Sequence, residues 1–178
     1  MMTDEASYYS TEAGQFIANA HRYLSAAKFL TQRGNWRYNH KVPALHLLGH
    51  GIELFLKYPL IRAGSTQRDV SKTYGHNLEA LWDAEGNKIC RNYVLEISQT
   101  VWETAKNSGD WPDEFDGDPR ESLVSGLHSL SYLHGRESSH ALRYTIPEPL
   151  LAPRPRFLIE TFSDLAERTC MNPAYLDD

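Results

Sequence analysis

His46, His50, Glu53 and Lys57 follow one another at steps of four, three and four, which stacks four ionisable side chains along one edge of a helix. Two chemistries are open to such a row. His46 and His50, one turn apart, can chelate a divalent ion, with Glu53 or a histidine from another helix completing the set. However, no glutamate follows His46 as in a His-Glu-x-x-His motif, no Glu-x-x-His pair of the di-iron kind is present, and no third ligand stands at fixed spacing. No metal and no cofactor is therefore expected. The plainer reading is a polar margin on a core helix, with Glu53 and Lys57 as an i, i+4 ion pair worth a few tenths of a kcal/mol. His76, after Gly75, is placed at a helix start, where the local positive potential disfavours its protonation and leaves a neutral hydrogen-bonding group that ties a short helix to its neighbours.

The element that must carry the first four residues is legible from its apolar positions. Leu45, Leu48, Ile52, Phe55 and Leu56 recur at helical spacing and line one wide face that only burial among other helices can satisfy. Pro43 suits the first turn of this central helix, and Pro59 predicts a bend or a shortened end before Ala63 and Gly64. Before it, Phe16, Ile17, Ala20, Tyr23, Leu24, Ala27 and Leu30 predict a first long helix over 12–30, and Gly34 to Lys41 reads as a loop. After it, Ser65 to Tyr74 is polar, and Asn77 is a candidate N-cap for a short helix docked by Leu78, Leu81 and Trp82. Further helices are predicted over 89–106, from Pro119 through Leu133, and over 157–170, the last preceded by an extended connector holding Pro147, Pro149, Pro153 and Pro155. The final residues, Tyr175 to Asp178, are expected to fray. No stretch alternates in the manner of a half-buried strand. The expectation is one all-α domain over 1–178 with its core at about 12–168: an antiparallel bundle of four or five main helices with short accessory helices.

Composition narrows the classes of function. A net charge of −5 over 178 residues opposes general adhesion to nucleic acid but permits a local basic patch. Cys90 and Cys170 stand far apart with no CxxC pairing, which argues against a disulfide framework and a structural zinc site. The start, with Asp4 and Glu5, lacks a basic region followed by an apolar run, and no apolar stretch reaches membrane-spanning length, so a cytoplasmic protein with no membrane partner is expected. The acidic stretch from Asp110 to Asp118 lacks the order of a calcium loop and reads as solvated surface. Tyr8, Tyr9, Trp36 and Tyr38 are candidate contacts for a partner, or covers for helix ends.

Three segments in order resemble bacterial proteins of the HEPN class, a helical-bundle superfamily: Glu53-Leu54-Phe55-Leu56-Lys57, Tyr74-Gly75-His76-Asn77-Leu78 and Leu142-Arg143-Tyr144. The first helix, with Ala20, Tyr23, Leu24 and Ala27, is also similar. The resemblance implies an antiparallel bundle that pairs into a homodimer and, in active members, metal-independent RNA cleavage by an arginine and a histidine, within toxin–antitoxin, defence or RNA-processing systems. It also implies RNA or a nucleotide as ligand, with a cognate antitoxin as partner. The family pattern places four to six residues between arginine and histidine, the first one polar. Arg136-Glu137-Ser138-Ser139-His140 has the polar first residue but only three between, a spacing that on a helix still puts Arg136 and His140 on one face.

On this resemblance Arg136 and His140 are the catalytic candidates. His140 would take a proton from the RNA 2′-hydroxyl or return one to the leaving oxygen, and Arg136 would stabilise the charge on phosphorus. Arg143, one turn from His140, would hold a second phosphate oxygen, and His76, Glu53 and Lys57 complete the substrate-binding candidates. Two alternatives stay open. Arg136 and Arg143 can instead pair with carboxylates such as Glu53, leaving a non-catalytic dimeric binding module, and His46 with His50 can instead belong to a metal-dependent enzyme of the helical-bundle type.

Overall fold

Thr11 opens the first helix: its hydroxyl oxygen accepts from the Gly14 backbone N–H at 3.1 Å, so one of the orphan donors of the first turn is satisfied. The computed structural model describes residues 8–32, 34–109, 117–135, 142, 153 and 155–177. Every regular element among them is helical: α1 Glu12–Thr31, α2 Trp36–Asn39, α3 Lys41–Arg62, α4 Gln67–Tyr74, α5 Leu78–Asp83, a 3₁₀ turn Glu85–Asn87, α6 Lys88–Ser108, α7 Pro119–His134 and α8 Pro155–Met171. No helix among the described residues is long and apolar enough to cross a membrane.

The fold is a helical bundle built around α3. α1 lies against α3 and α8, α6 against α8 and α7, and α7 also touches α5 and α3. α1 runs antiparallel to α8: Tyr9 at its start donates to the carbonyl of Cys170, and Lys28 near its end pairs with Glu160 at 2.5 Å. Leu45, Leu48, Ile52, Phe55 and Leu56 are buried as their spacing predicts, in one apolar cluster with Ile17 and Leu24 of α1, Val94 and Trp102 of α6, Leu123 and Leu127 of α7, and Phe157 and Phe162 of α8. Edge-to-face ring pairs Phe55–Phe162 at 5.7 Å and Trp102–Phe157 at 5.3 Å add directional packing.

The helix α3 continues through Pro59 and ends at Arg62, before Ala63 and Gly64, where its end is expected. Other expectations need correction. The polar stretch before Tyr74 is the helix α4, opened by a reciprocal cap in which Thr66 accepts from the Asp69 backbone N–H at 3.2 Å and donates to the Asp69 carboxylate at 2.7 Å. Its polarity reflects position, since Val70 is its one buried residue. Trp36–Asn39 is a short helix within the predicted loop. The C-terminal residues are tied down: Leu176 is buried, Tyr58 donates to the Pro173 carbonyl at 2.9 Å, and Arg62 Nε donates to Asp177 Oδ1 at 2.9 Å. Tyr8 donates to the Tyr58 hydroxyl at 2.9 Å and Tyr9 to the Cys170 carbonyl, so both cover helix ends of the bundle, one of the two roles expected of them. Trp36 is half-buried, and the side chain of Tyr38 lies outside the described residues. So do residues 110–116 of the acidic stretch, while Asp118 caps α7 by accepting from Arg120 N–H at 2.7 Å. Most of the proline-rich connector also lies outside; Pro155 begins α8.

Candidate functional site

Glu53 sits in the fourth turn of α3 at 2% exposure, with its carboxylate beside the Lys57 ammonium and three imidazoles. Lys57 Nζ donates to Oε1 at 2.6 Å. The other oxygen, Oε2, accepts from Nε2 of His134 at 2.8 Å and Nδ1 of His76 at 2.9 Å, and Nδ1 of His50 stands 3.8 Å away. Since an ionised carboxylate oxygen only accepts, the facing nitrogens of His134 and His76 carry hydrogens. Burial pushes the Glu53 carboxyl up, but hydrogen bonds from His134, His50, Lys57 and His76 outweigh it and hold the group well below the usual carboxylate range. Glu53 is therefore a buried carboxylate that its neighbours hold in the ionised form.

Each element delivers its side chain for a local reason. Glu53, His50 and Lys57 share one edge of α3 by helical spacing. His76 is presented by the turn between α4 and α5, where Gly75 adopts φ +56°, a conformation glycine takes without strain, and Asn77 caps α5 through the Ala80 backbone N–H at 2.9 Å. His134 is the last residue of α7 and is buried. Its ring lies over Gly49: a Cβ there would meet His134 Nδ1 at 3.0 Å and Cγ at 3.1 Å, so only the missing side chain lets the imidazole settle onto α3. Tyr23 of α1 holds His50 from the far side, edge-to-face at 4.5 Å between ring centres.

The structure thus brings Glu53, Lys57 and His76 together and corrects their roles. Glu53 and Lys57 are not a surface margin: their side chains are 3% and 6% exposed, and breaking such a buried pair costs several-fold more than breaking an exposed one. His76 ties the turn to α3 as expected, with Glu53 as the partner. His46 and His50 do not form a chelating pair by themselves; His46 meets the His134 ring at 6.2 Å, while His50 joins Glu53 and His134. Arg136, His140 and Arg143 lie outside the described residues; Leu142 beside them is buried. His134 is the residue that sequence reasoning missed. The available signal was Gly49, a glycine inside a strongly apolar helix, a position that costs about 1 kcal/mol against alanine and marks the close approach of another group.

On the solvent side of His76 a cavity of about 420 Å³ opens between α4, α5 and α7. Lys72, His76, Asn77, His128, Ser131 and Tyr132 line it, with Glu79 paired to His128 at 3.5 Å. The side chain of His76, 43% exposed, reaches from this cavity to buried Glu53. A group with one end in a cavity and the other on a fixed carboxylate is held in one tautomer and one orientation, as acid–base and anion-binding histidines require.

The fold and site together define an all-α helical bundle with a buried histidine–carboxylate cluster that opens onto a polar cavity. Comparison with protein-family models, with curated proteins and with solved structures finds no match.

Proposed function

We propose that the chain is a HEPN-like domain that binds RNA or a nucleotide in the cavity beside His76. One observation carries this reading. Of the three segments that resemble HEPN proteins, the one centred on Glu53 and Lys57 and the one centred on His76 meet at a single carboxylate, next to a cavity lined by Lys72, His76 and His128. Three nitrogen-bearing side chains with Ser131 and Asn77 suit a phosphate and the polar edges of a base. His134, which closes the cluster, stands two residues before Arg136 and six before His140 in the chain. With Arg136 on the phosphate and His140 moving the proton, the same ligand would be cleaved without a metal. The proposal includes a cytoplasmic homodimer working with an antitoxin or other partner protein in a toxin–antitoxin or defence system.

The test is a fluorophore-labelled single-stranded RNA incubated with the protein in EDTA, with anisotropy reporting binding and gel analysis reporting cleavage. Cleavage that disappears in Arg136→Ala and in His140→Ala, with binding retained, is expected. Binding without cleavage by the wild-type chain would reduce the proposal to the non-catalytic binding module. Absence of both binding and cleavage in the wild type would overturn it.

A further inference from the structure

We infer that His50, Glu53 and His134 form a binding site for a first-row divalent cation of the zinc class. Nδ1 of His50, Oε2 of Glu53 and Nε2 of His134 all lie within 4.8 Å of one another, the one such group of histidine, cysteine and acidic side chains among the described residues. Two imidazoles and one carboxylate are the borderline nitrogen and oxygen donors that such cations prefer. The sequence pairs His46 with His50, completed by Glu53 or a histidine from another helix; the site the structure builds leaves out His46 and takes His134 from the end of α7.

The distances suit an ion after a small adjustment. Ligand bonds of about 2.0–2.2 Å in tetrahedral geometry put ligand atoms roughly 3.3–3.5 Å apart. The separations from Oε2 are 2.8 Å to His134 and 3.8 Å to His50, so one opens and the other closes by about half an ångström. Lys57 occupies Oε1 at 2.6 Å, which commits Glu53 to one-oxygen ligation through Oε2 and holds that oxygen in place. Gly49 clears the space in which the His134 ring rests, and Tyr23 braces the His50 ring. On loading, the His134 ring changes tautomer, giving up the hydrogen on Nε2 and carrying one on Nδ1, so that it ligates as a neutral imidazole. Water would supply the fourth ligand. The ion would link α3 to the end of α7 at His134.

This inference does not rest on the RNA reading, because metal binding is measured without nucleic acid and either can fail alone. Glu53 and His134 are buried, so substitutions there endanger the fold. His50, with 31% of its side chain exposed, is the informative position. Chelator-treated protein is titrated with Zn²⁺ by calorimetry, and bound zinc is counted by mass spectrometry after gel filtration. One zinc per chain is expected, with a rise in melting temperature of about 5–10 °C at a hundredfold excess over Kd. His50→Ala should keep the helical circular dichroism of the wild type and lose the stoichiometric zinc and the thermal shift, whereas His46→Ala, which removes the histidine one turn before His50, keeps both. Absence of stoichiometric zinc in the wild type, zinc bound by His50→Ala as tightly as by the wild type, or its loss in His46→Ala would each overturn the ligand set.

Discussion

Replacing Lys57 with methionine asks whether the Glu53 cluster is as dry as its geometry indicates. Methionine fills nearly the volume of the lysine stem, so packing changes little and the lost quantity is the charge on Nζ. An exposed i, i+4 pair would give up about 0.3–0.5 kcal/mol. Here the side chains are 6% and 3% exposed and the atoms 2.6 Å apart, so the relevant figure is the roughly 3–5 kcal/mol that follows from leaving one buried charge without its partner. His134 and His76 still donate to the other carboxylate oxygen, which places the expected loss at the lower end, about 3 kcal/mol. For a chain of this length that is a fall in melting temperature of roughly 6–12 °C. Urea unfolding at neutral pH, followed by helical circular dichroism, measures it directly, with an unchanged m-value confirming that stability and not compactness has moved. Adding Glu53→Gln to Lys57→Met removes the stranded charge, so the double variant should be less destabilised than the two single variants added together, by at least about 1 kcal/mol. A loss under about 0.5 kcal/mol for Lys57→Met would mean that water reaches the pair, and the buried-anchor argument would fail.

Other outcomes follow from the same geometry. With the Glu53 carboxyl held far below its ordinary value, the unfolded chain binds its proton first as pH falls. Glu53 therefore contributes stability that is fully present above about pH 5 and is lost on acidification, by up to about 1.4 kcal/mol per pH unit below pH 4; Glu53→Gln should flatten the stability profile there by about that slope. Gly49→Ala should push the His134 ring outward by a few tenths of an ångström and cost about 1–3 kcal/mol as overpacking, despite the better helix propensity of alanine; urea unfolding that shows a gain instead would remove the close approach from the argument. Burial pushes the Cys90 thiol up to about 12, so a thiol reagent should label Cys90 only at the rate of global unfolding, while half-buried Cys170 reacts sooner.

The parts of the fold that follow from local pattern were legible. The apolar face of α3, the Asn77 cap and the opening of α7 at Pro119 stand where periodicity and capping chemistry put them. The helix α4 was hidden because only Val70 is buried, leaving no periodic stripe; its signal was the Thr66–Asp69 cap pair. The candidate site was half legible. Helical spacing groups His50, Glu53 and Lys57, but their burial depends on which helices pack over that edge, and a one-dimensional pattern does not contain it. Gly49 marks that some group comes close to α3, but that the group is His134 was not legible, since it is 81 residues from Glu53 in the chain and meets it through tertiary packing.

The central claim is that the cavity reached by His76 takes RNA or a nucleotide phosphate. The most direct measurement is the affinity of a short single-stranded RNA, by fluorescence anisotropy at fixed salt, for the wild type and for Lys72→Ala and His76→Ala, two cavity residues whose side chains are not part of the buried core. Lys72→Ala removes a charge-assisted phosphate contact worth about 1.5–3 kcal/mol and should lower affinity roughly ten- to a hundredfold, while His76→Ala removes a single hydrogen bond worth about 0.5–1.5 kcal/mol and should lower it roughly two- to tenfold, with the helical signal unchanged in both. Equal affinity in all three proteins, or no binding by the wild type, would contradict the assignment of this cavity.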